Sequence, residues 1–154
     1  MDRRDSFDTL AVGATWRSTG RTLTEGDLLQ ACMSSGDWHP IHADEAYARG
    51  TPLGRRIFQG SYGLHVATGI ATRFPAFGDD VIGALGFSEW RYLAPLFVGD
   101  TVHVEVEITG KRLTSDGERG VIDRRIRLVR HDGAVVQQGT AQMMVRVRAR
   151  KEST

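Results

Sequence analysis

Stretches with a period of two dominate the second half of the chain and restrict its fold more than any other feature. Val102, Val104, Val106 and Ile108 alternate with Thr101, His103, Glu105 and Glu107. Ile122, Ile126 and Leu128 alternate with Asp123, Arg125 and Arg127, and Ala141, Met143, Val145 and Val147 with Gln142, Met144, Arg146 and Arg148. A further strand is expected earlier, over residues 82–92. Successive side chains of a strand point to opposite faces, so this pattern gives a sheet with one dry face and one wet face. Asp132-Gly133 is a tight-turn pair that joins two of these strands as a hairpin. Four strands in succession, separated by turns, make an antiparallel sheet. Its dry face needs an element to cover it.

Residues 59–72 supply that element. They contain Gly60, Gly63 and Gly69, each costing about 1 kcal/mol of helix propensity relative to alanine. Small residues at 60, 63, 67, 69 and 71 let a backbone approach its neighbours closely. The stretch reads as a buried central helix that ends before Pro75. A sheet curled around one helix is an α+β arrangement. Upstream, Val12 to Arg17 reads as a short strand anchored by Trp16. Thr24 caps a helix, Glu25 and Asp27 suit its positive end, and Leu28, Leu29, Ala31, Cys32 and Met33 give it an apolar face before Gly36 closes it. Asp44 caps a second short helix, residues 45–49, stopped by Gly50. Residues 1–154 read as a single domain, with 1–10 a loose lead-in and 150–154 a flexible tail.

Net charge is +1 over 154 residues, so no strong field draws the whole molecule to nucleic acid or a membrane surface. No apolar run of about 18 residues marks a membrane span. The charged start, Met1 to Asp5, leads into no apolar segment of the signal-peptide kind. A lone cysteine, Cys32, excludes an intrachain disulfide framework and fits a cytoplasmic setting. Phosphate-loop, dinucleotide and Gly-x-Ser-x-Gly patterns are missing. His39 and His42 lie three apart with no further Cys or His at zinc-like spacing, so no metal is expected.

Gly36-Asp37-Trp38-His39-Pro40-Ile41-His42 carries the chemistry. Asp37 precedes His42 by five positions, and Pro40 prevents an ordinary helix across the gap. A carboxylate and an imidazole on one stiff turn can grip a single water, one taking a proton and the other giving one. Asp37 is also suited to a plain Asx turn, and His42 alone to a structural role. The two read as one coupled unit, with donor and acceptor unassigned.

These residues resemble the MaoC-like dehydratases, a family that includes (R)-specific enoyl-CoA hydratases. Gly36, Asp37, Pro40 and His42 match a Gly-Asp-x-Asn-Pro-x-His pattern. Gly60 matches the glycine that opens the family's long helix, Thr68 falls where a serine is common, and Phe97-Val98-Gly99-Asp100 resembles a turn before a strand. The likeness runs from about Val12 to Val147. It implies a hot-dog fold, dimers with sheets joined edge to edge, and reversible hydration of a trans-2-enoyl thioester, carried by CoA or an acyl carrier, to a 3-hydroxyacyl thioester. It implies no cofactor. Two positions depart from the pattern: His39 replaces the asparagine, and Gln59 the histidine before the helix glycine. Both bear on substrate preference.

On this reading Asp37 and His42 transfer protons and the Gly60 N–H steadies the thioester oxygen as it gains charge. A helix start suits that task because its first N–H groups lack internal partners. Thr68 either orients the water or bonds back to its own helix. His39 either touches substrate or, the preferred role, supports the loop. Leu53, Ile57 and Phe58 are candidates for an acyl channel, with Gln59 beside them. Arg55 and Arg56 are candidates for the carrier's phosphates, while the strand arginines, including Arg124, are assigned to the wet face. His65 is assigned to core packing ahead of a dimer surface, and His103 and His131 to solvent. The same equipment serves a thioesterase, in which water attacks the carbonyl carbon. A non-catalytic acyl-CoA-binding subunit is the third possibility.

Overall fold

The computed structural model describes residues 6–74 and 80–148. Elements run β1 (Thr15–Arg17), β2 (Arg21–Thr22), α1 (Glu25–Ser35), α2 (Pro40–Ala43), α3 (Glu45–Arg49), α4 (Gly60–Ala71), β3 (Val81–Tyr92), β4 (Thr101–Leu113), β5 (Arg119–Arg130) and β6 (Val135–Arg146). The strands form one antiparallel sheet ordered β1-β4-β5-β6-β3, with β2 also on β4. At the hairpin, Gly133 takes a positive φ of 85° and the Asp132 side chain accepts the Ala134 N–H. The sheet curls around α4, the hot-dog arrangement. Val66, Ala67, Ile70 and Ala71 pack against Val102, Val104, Val106, Ile126, Leu128 and Ala141 in the main core. None of the described helices is long and apolar enough to cross a membrane.

Helix α1 docks this core through a sequence-legible cap. Thr24 and Asp27 form a reciprocal capping box, and Leu28, Ala31 and Cys32 are buried. Leu29 and Met33, expected on the same face, are 51% and 64% exposed. They stand four apart on the neighbouring stripe, and one helix buries only one stripe here. Asp27 also receives the Tyr62 hydroxyl at 2.8 Å, tying α1 to α4. Burial alone would raise the Asp27 pKa, but bonds from Thr24 and Tyr62 and the Arg21 guanidinium together hold it below the ordinary carboxylate value.

Four further expectations need correction. Residues 6–10 are not a loose lead-in: Phe7 and Leu10 are buried in a second cluster with Ile108, Ile122, Met143 and Val145, and Lys111 Nζ donates to the Phe7 and Leu10 carbonyls. Residues 1–5 and 150–154, and the chain around Pro75, lie outside the described residues. His103 is only 9% exposed, flanked by its cross-strand partner Val129 and by Glu105, whose carboxylate lies 3.4 Å away. Arg124 does not face water; strict alternation puts it on the inner face between Ile122 and Ile126, where burial lowers its pKa. Gly69 meets nothing that a side chain would disturb, so close approach belongs to Gly60 and Gly63 instead.

At Gly63 a Cβ would fall 2.1 Å from the amide of Gln137 on β6. Gly63→Ala is therefore expected to cost about 1–3 kcal/mol, the usual penalty of overpacking, as measured by denaturant unfolding. A group whose folded pKa is depressed stabilises above its unfolded value, here 3.8, and that contribution is lost as pH falls through the folded one. The stability gap between wild type and Asp27→Asn should thus close as pH drops below about 3.8; a gap independent of pH would contradict the assignment.

Candidate active site

Helix α1 ends at Gly36, whose φ of 72° favours glycine. The chain turns sharply, and the Asp37 N–H donates to Ser35 Oγ at 3.1 Å. Pro40 takes the first position of α2, where its missing N–H costs nothing. His39 caps that helix: its Nδ1 accepts the Ile41 N–H at 3.2 Å, and its ring stands edge-on to those of Tyr47 and His42. His39 thus supports the loop through its ring nitrogen.

Asp37 divides its two oxygens. Oδ1 accepts the His39 N–H at 3.1 Å, an Asx-type bond that shapes the turn. Oδ2 lies 3.4 Å from His42 Nε2. Turn formation and pairing with the imidazole are both present, one on each oxygen. The His42 ring is buried, with Nδ1 2.7 Å from the Ile57 carbonyl. A carbonyl only accepts, so Nδ1 carries a proton and donates. That leaves Nε2 as the nitrogen free to exchange protons, and it is the one facing Asp37. The Asp37 side chain is nearly half exposed, so water reaches the pair from that side.

The segment before α4 is stitched to this turn. Ile57 N–H donates to the Ile41 carbonyl at 3.2 Å, and Phe58 N–H to Leu96. Gln59 Nε2 donates to the Asp37 carbonyl at 3.1 Å and to Cys32 Sγ at 3.3 Å. Gly60 follows directly and opens α4, whose start has no side-chain cap. The first N–H groups of that helix, with the positive end of its dipole, therefore sit one residue beyond a segment bonded to both members of the pair. A Cβ on Gly60 would fall 2.7 Å from the Tyr92 ring, so the position has no room for a side chain. Gln59 Oε1 is buried and has no hydrogen-bond partner among the described residues. Gln59 also lines a groove of about 390 Å3 with Gln30, Ser34, Ser35, Ser61 and His65. His65 belongs to this groove rather than to the core, because it lies on the exposed stripe of α4.

Other residues singled out from the sequence are placed differently. The Thr68 hydroxyl lies 3.0 Å from both the Leu64 and His65 carbonyls, so it bonds back to its own helix. It sits about 12 Å along the axis from Gly60. Phe58 is a core residue stacked on Tyr62 (5.2 Å, 14°) rather than the wall of an open channel. Ile57 is half-buried and bridges to Phe97, while Leu53 is exposed. Arg56 is not open to a phosphate: it forks onto Glu25 at 2.8 and 3.0 Å and reaches Glu45 at 2.9 Å. Arg55 is exposed, lies over the Phe97 ring at 3.9 Å, and has no carboxylate partner among the described residues. No group of three metal-ligating side chains occurs among those residues.

Sequence reasoning missed Gln137 and Trp90. Trp90 Nε1–H donates to Gln137 Oε1 at 3.0 Å, and Gln137 Nε2 donates to the Gly60 carbonyl at 2.9 Å. The signal was available: counting back from Ala141 by twos puts Gln137 on the dry face of β6.

Comparisons with known proteins identify the family and the fold. The family model for the MaoC like domain matches residues 9–126. The chain is 34% identical over 105 residues to a 3-hydroxybutyryl-CoA dehydratase from Methylorubrum extorquens, covering 66% of this chain and 62% of that protein. It is 29% identical over 121 residues to protein MaoC from Klebsiella aerogenes, covering 79% of this chain but only 35% of that protein. The chain thus spans between about a third and two thirds of the length of these curated relatives. A solved structure, the monoamine oxidase regulatory protein from Archaeoglobus fulgius, superposes with a TM-score of 0.88 at 25% identity, covering 94% of this chain and 96% of that one.

Proposed function

The chain belongs to the MaoC-like domain family, and from that premise we infer that it is a hydro-lyase adding water reversibly to a trans-2-enoyl thioester to give a 3-hydroxyacyl thioester. The observation that carries this reading is the 3.4 Å contact of Asp37 Oδ2 with His42 Nε2, on a turn bonded to the segment that leads into Gly60. One water held between the two groups gives its oxygen to the β-carbon. The pair enters the step with one transferable proton, on the Asp37 carboxyl or on His42 Nε2; the member that holds it protonates the α-carbon, and the other takes the proton of the water. Electrons of the double bond pass to the thioester oxygen, and the Gly60 N–H meets that charge. The pair ends with the number of protons it began with, and the 3.4 Å between Oδ2 and Nε2 lets them redistribute through water before the next turnover. Side chains and water suffice, so no cofactor takes part.

Arg55 is the better candidate for the phosphates of a CoA or acyl-carrier arm, since Arg56 is held by two glutamates. Arg56 instead links the start of α1, α3 and the loop before Gly60. Gln59 and the groove beside it, which Ala31 and Tyr62 also line, are the candidate wall for the acyl group. The free edge of β3, with Ile82, Leu85 and Phe87 exposed, suits pairing with a second copy of the chain, edge to edge. A buried free thiol, Cys32, suits a cytoplasmic setting.

Two sets of measurements test this. Incubated with trans-2-enoyl-CoA esters of several lengths, the protein should consume the conjugated enoyl absorbance without releasing thiol. Asp37→Asn keeps an acceptor for the His39 N–H and should stay folded, yet lose at least about a hundredfold in rate, as should His42→Gln. Thiol release with the double bond intact would instead make the protein a thioesterase. Arg55→Ala should raise the KM for CoA esters severalfold with kcat little changed. Arg56→Ala should mainly lower stability, by about 1 kcal/mol or less, since its partners are exposed. The opposite assignment would follow if only Arg56→Ala weakened binding.

A further inference from the structure

Gln137 is an amide on an inner stripe of β6 that otherwise carries Gly139, Ala141, Met143 and Val145. It is 2% exposed, on the inner face of β6 beneath α4, with Val136 and Ala141 of the main core nearby in the strand. Burying such a group is costly unless its bonds are made, and here both ends make them. Nε2 donates to the Gly60 carbonyl at 2.9 Å, and Oε1 accepts from Trp90 Nε1 at 3.0 Å. Tryptophan nitrogen can only donate, so it fixes which way round the amide lies.

Three features of the backbone are committed to this arrangement. Gly63 leaves room for the amide, since a Cβ there would overlap it. Gly139 leaves room for the indole, since a Cβ there would fall 2.7 Å from the Trp90 ring. Glu89, next to Trp90, takes a φ of 53°, unfavourable for a non-glycine residue, within a bulge between Ser88 and Arg91. A bulge re-aims the side chains around it, and this one turns the indole nitrogen inward onto Gln137. Two residues further on, the Tyr92 ring lies against the Gly60 Cα. Gly60 is thus held at its carbonyl by Gln137 and at its α-carbon by Tyr92.

We propose that Gln137, oriented by Trp90, is a positioning residue for the reaction: bonded to the Gly60 carbonyl, it fixes the residue that opens α4, so that the N–H on the other side of the same α-carbon points where the thioester oxygen gains charge. This rests on the function inferred above. A donor of this kind works because it is aimed before the charge develops, and a small misplacement loses much of its effect.

The test uses the whole chain, with Gln137→Leu and Trp90→Phe made singly and together. Gln137→Leu should lower kcat about tenfold, measured on folded protein, with KM within about twofold of wild type. Trp90→Phe, which keeps a ring over Gly139 but loses the nitrogen, should give a smaller loss. The double variant should be no slower than Gln137→Leu, because both changes break one chain of bonds. The infrared carbonyl stretch of a bound, non-reacting acyl-CoA should move back toward its value in water in both single variants. Lower stability with kcat and the carbonyl stretch unchanged would overturn the proposal. Failure of the functional reading is separate. If the wild type turns over no thioester, the Gly60 amide resonance and its hydrogen exchange decide, and both should change in each single variant. An unaltered Gly60 amide would overturn the proposal.

Discussion

A short seam of hydrogen bonds between two irregular segments determines where everything else in the site can be. Residues 37–42 leave α1 through the one-turn helix α2, and residues 57–59 enter α4 at Gly60. Three bonds join them: His42 Nδ1–H to Ile57, Ile57 N–H to Ile41, and the Gln59 amide to Asp37. Without them a carboxylate, an imidazole and a helix start would be three unrelated features on a surface. The first of the three also selects the histidine tautomer, so one bond both places His42 and decides which of its nitrogens works.

The seam depends in turn on the sheet. Loops keep a fixed geometry only when rigid elements flank them. Here α1 is tied to α4 through Asp27 and Tyr62, and α4 lies in the curl of the sheet against β4 and β5. Arg56 adds a charged clamp among α1, α3 and the entering loop. From the other side, Gln137 and Tyr92 reach the same glycine that the seam leads into. Helix, loop and sheet therefore converge on one residue, Gly60.

Much of this was legible in the sequence. The period-two pattern gave the sheet, Asp132-Gly133 its hairpin, Thr24 and Gly36 the limits of α1, and the Asp37–His42 spacing the pair itself. What escaped notice has physical causes. Arg124 obeys the alternation and faces inward, but its polarity suggested solvent, and Gln137 on the same dry parity drew no reading; a polar residue there is a signal in its own right. Leu29 and Met33 look buried by composition, yet only one stripe of α1 finds a surface to cover. Phe7 and Leu10 pack against a satellite cluster that begins only at Ile108 in the sequence, which no local pattern reveals. Arg56 looked free because its partners, Glu25 and Glu45, come from separate elements. The bulge at Glu89 has no local marker, since a glycine would have been the expected residue there.

Oxygen from the solvent gives the most direct test of the central claim, that Asp37 and His42 direct one water onto an activated alkene. The protein should be run in water enriched in 18O with a trans-2-enoyl-CoA, and the thioester product weighed by mass spectrometry. One labelled oxygen on the β-carbon of an intact 3-hydroxyacyl thioester, absent with Asp37→Asn, is the result the geometry predicts. Label found in a free carboxylic acid, or a hydroxyacyl product formed equally well without the carboxylate, would contradict it.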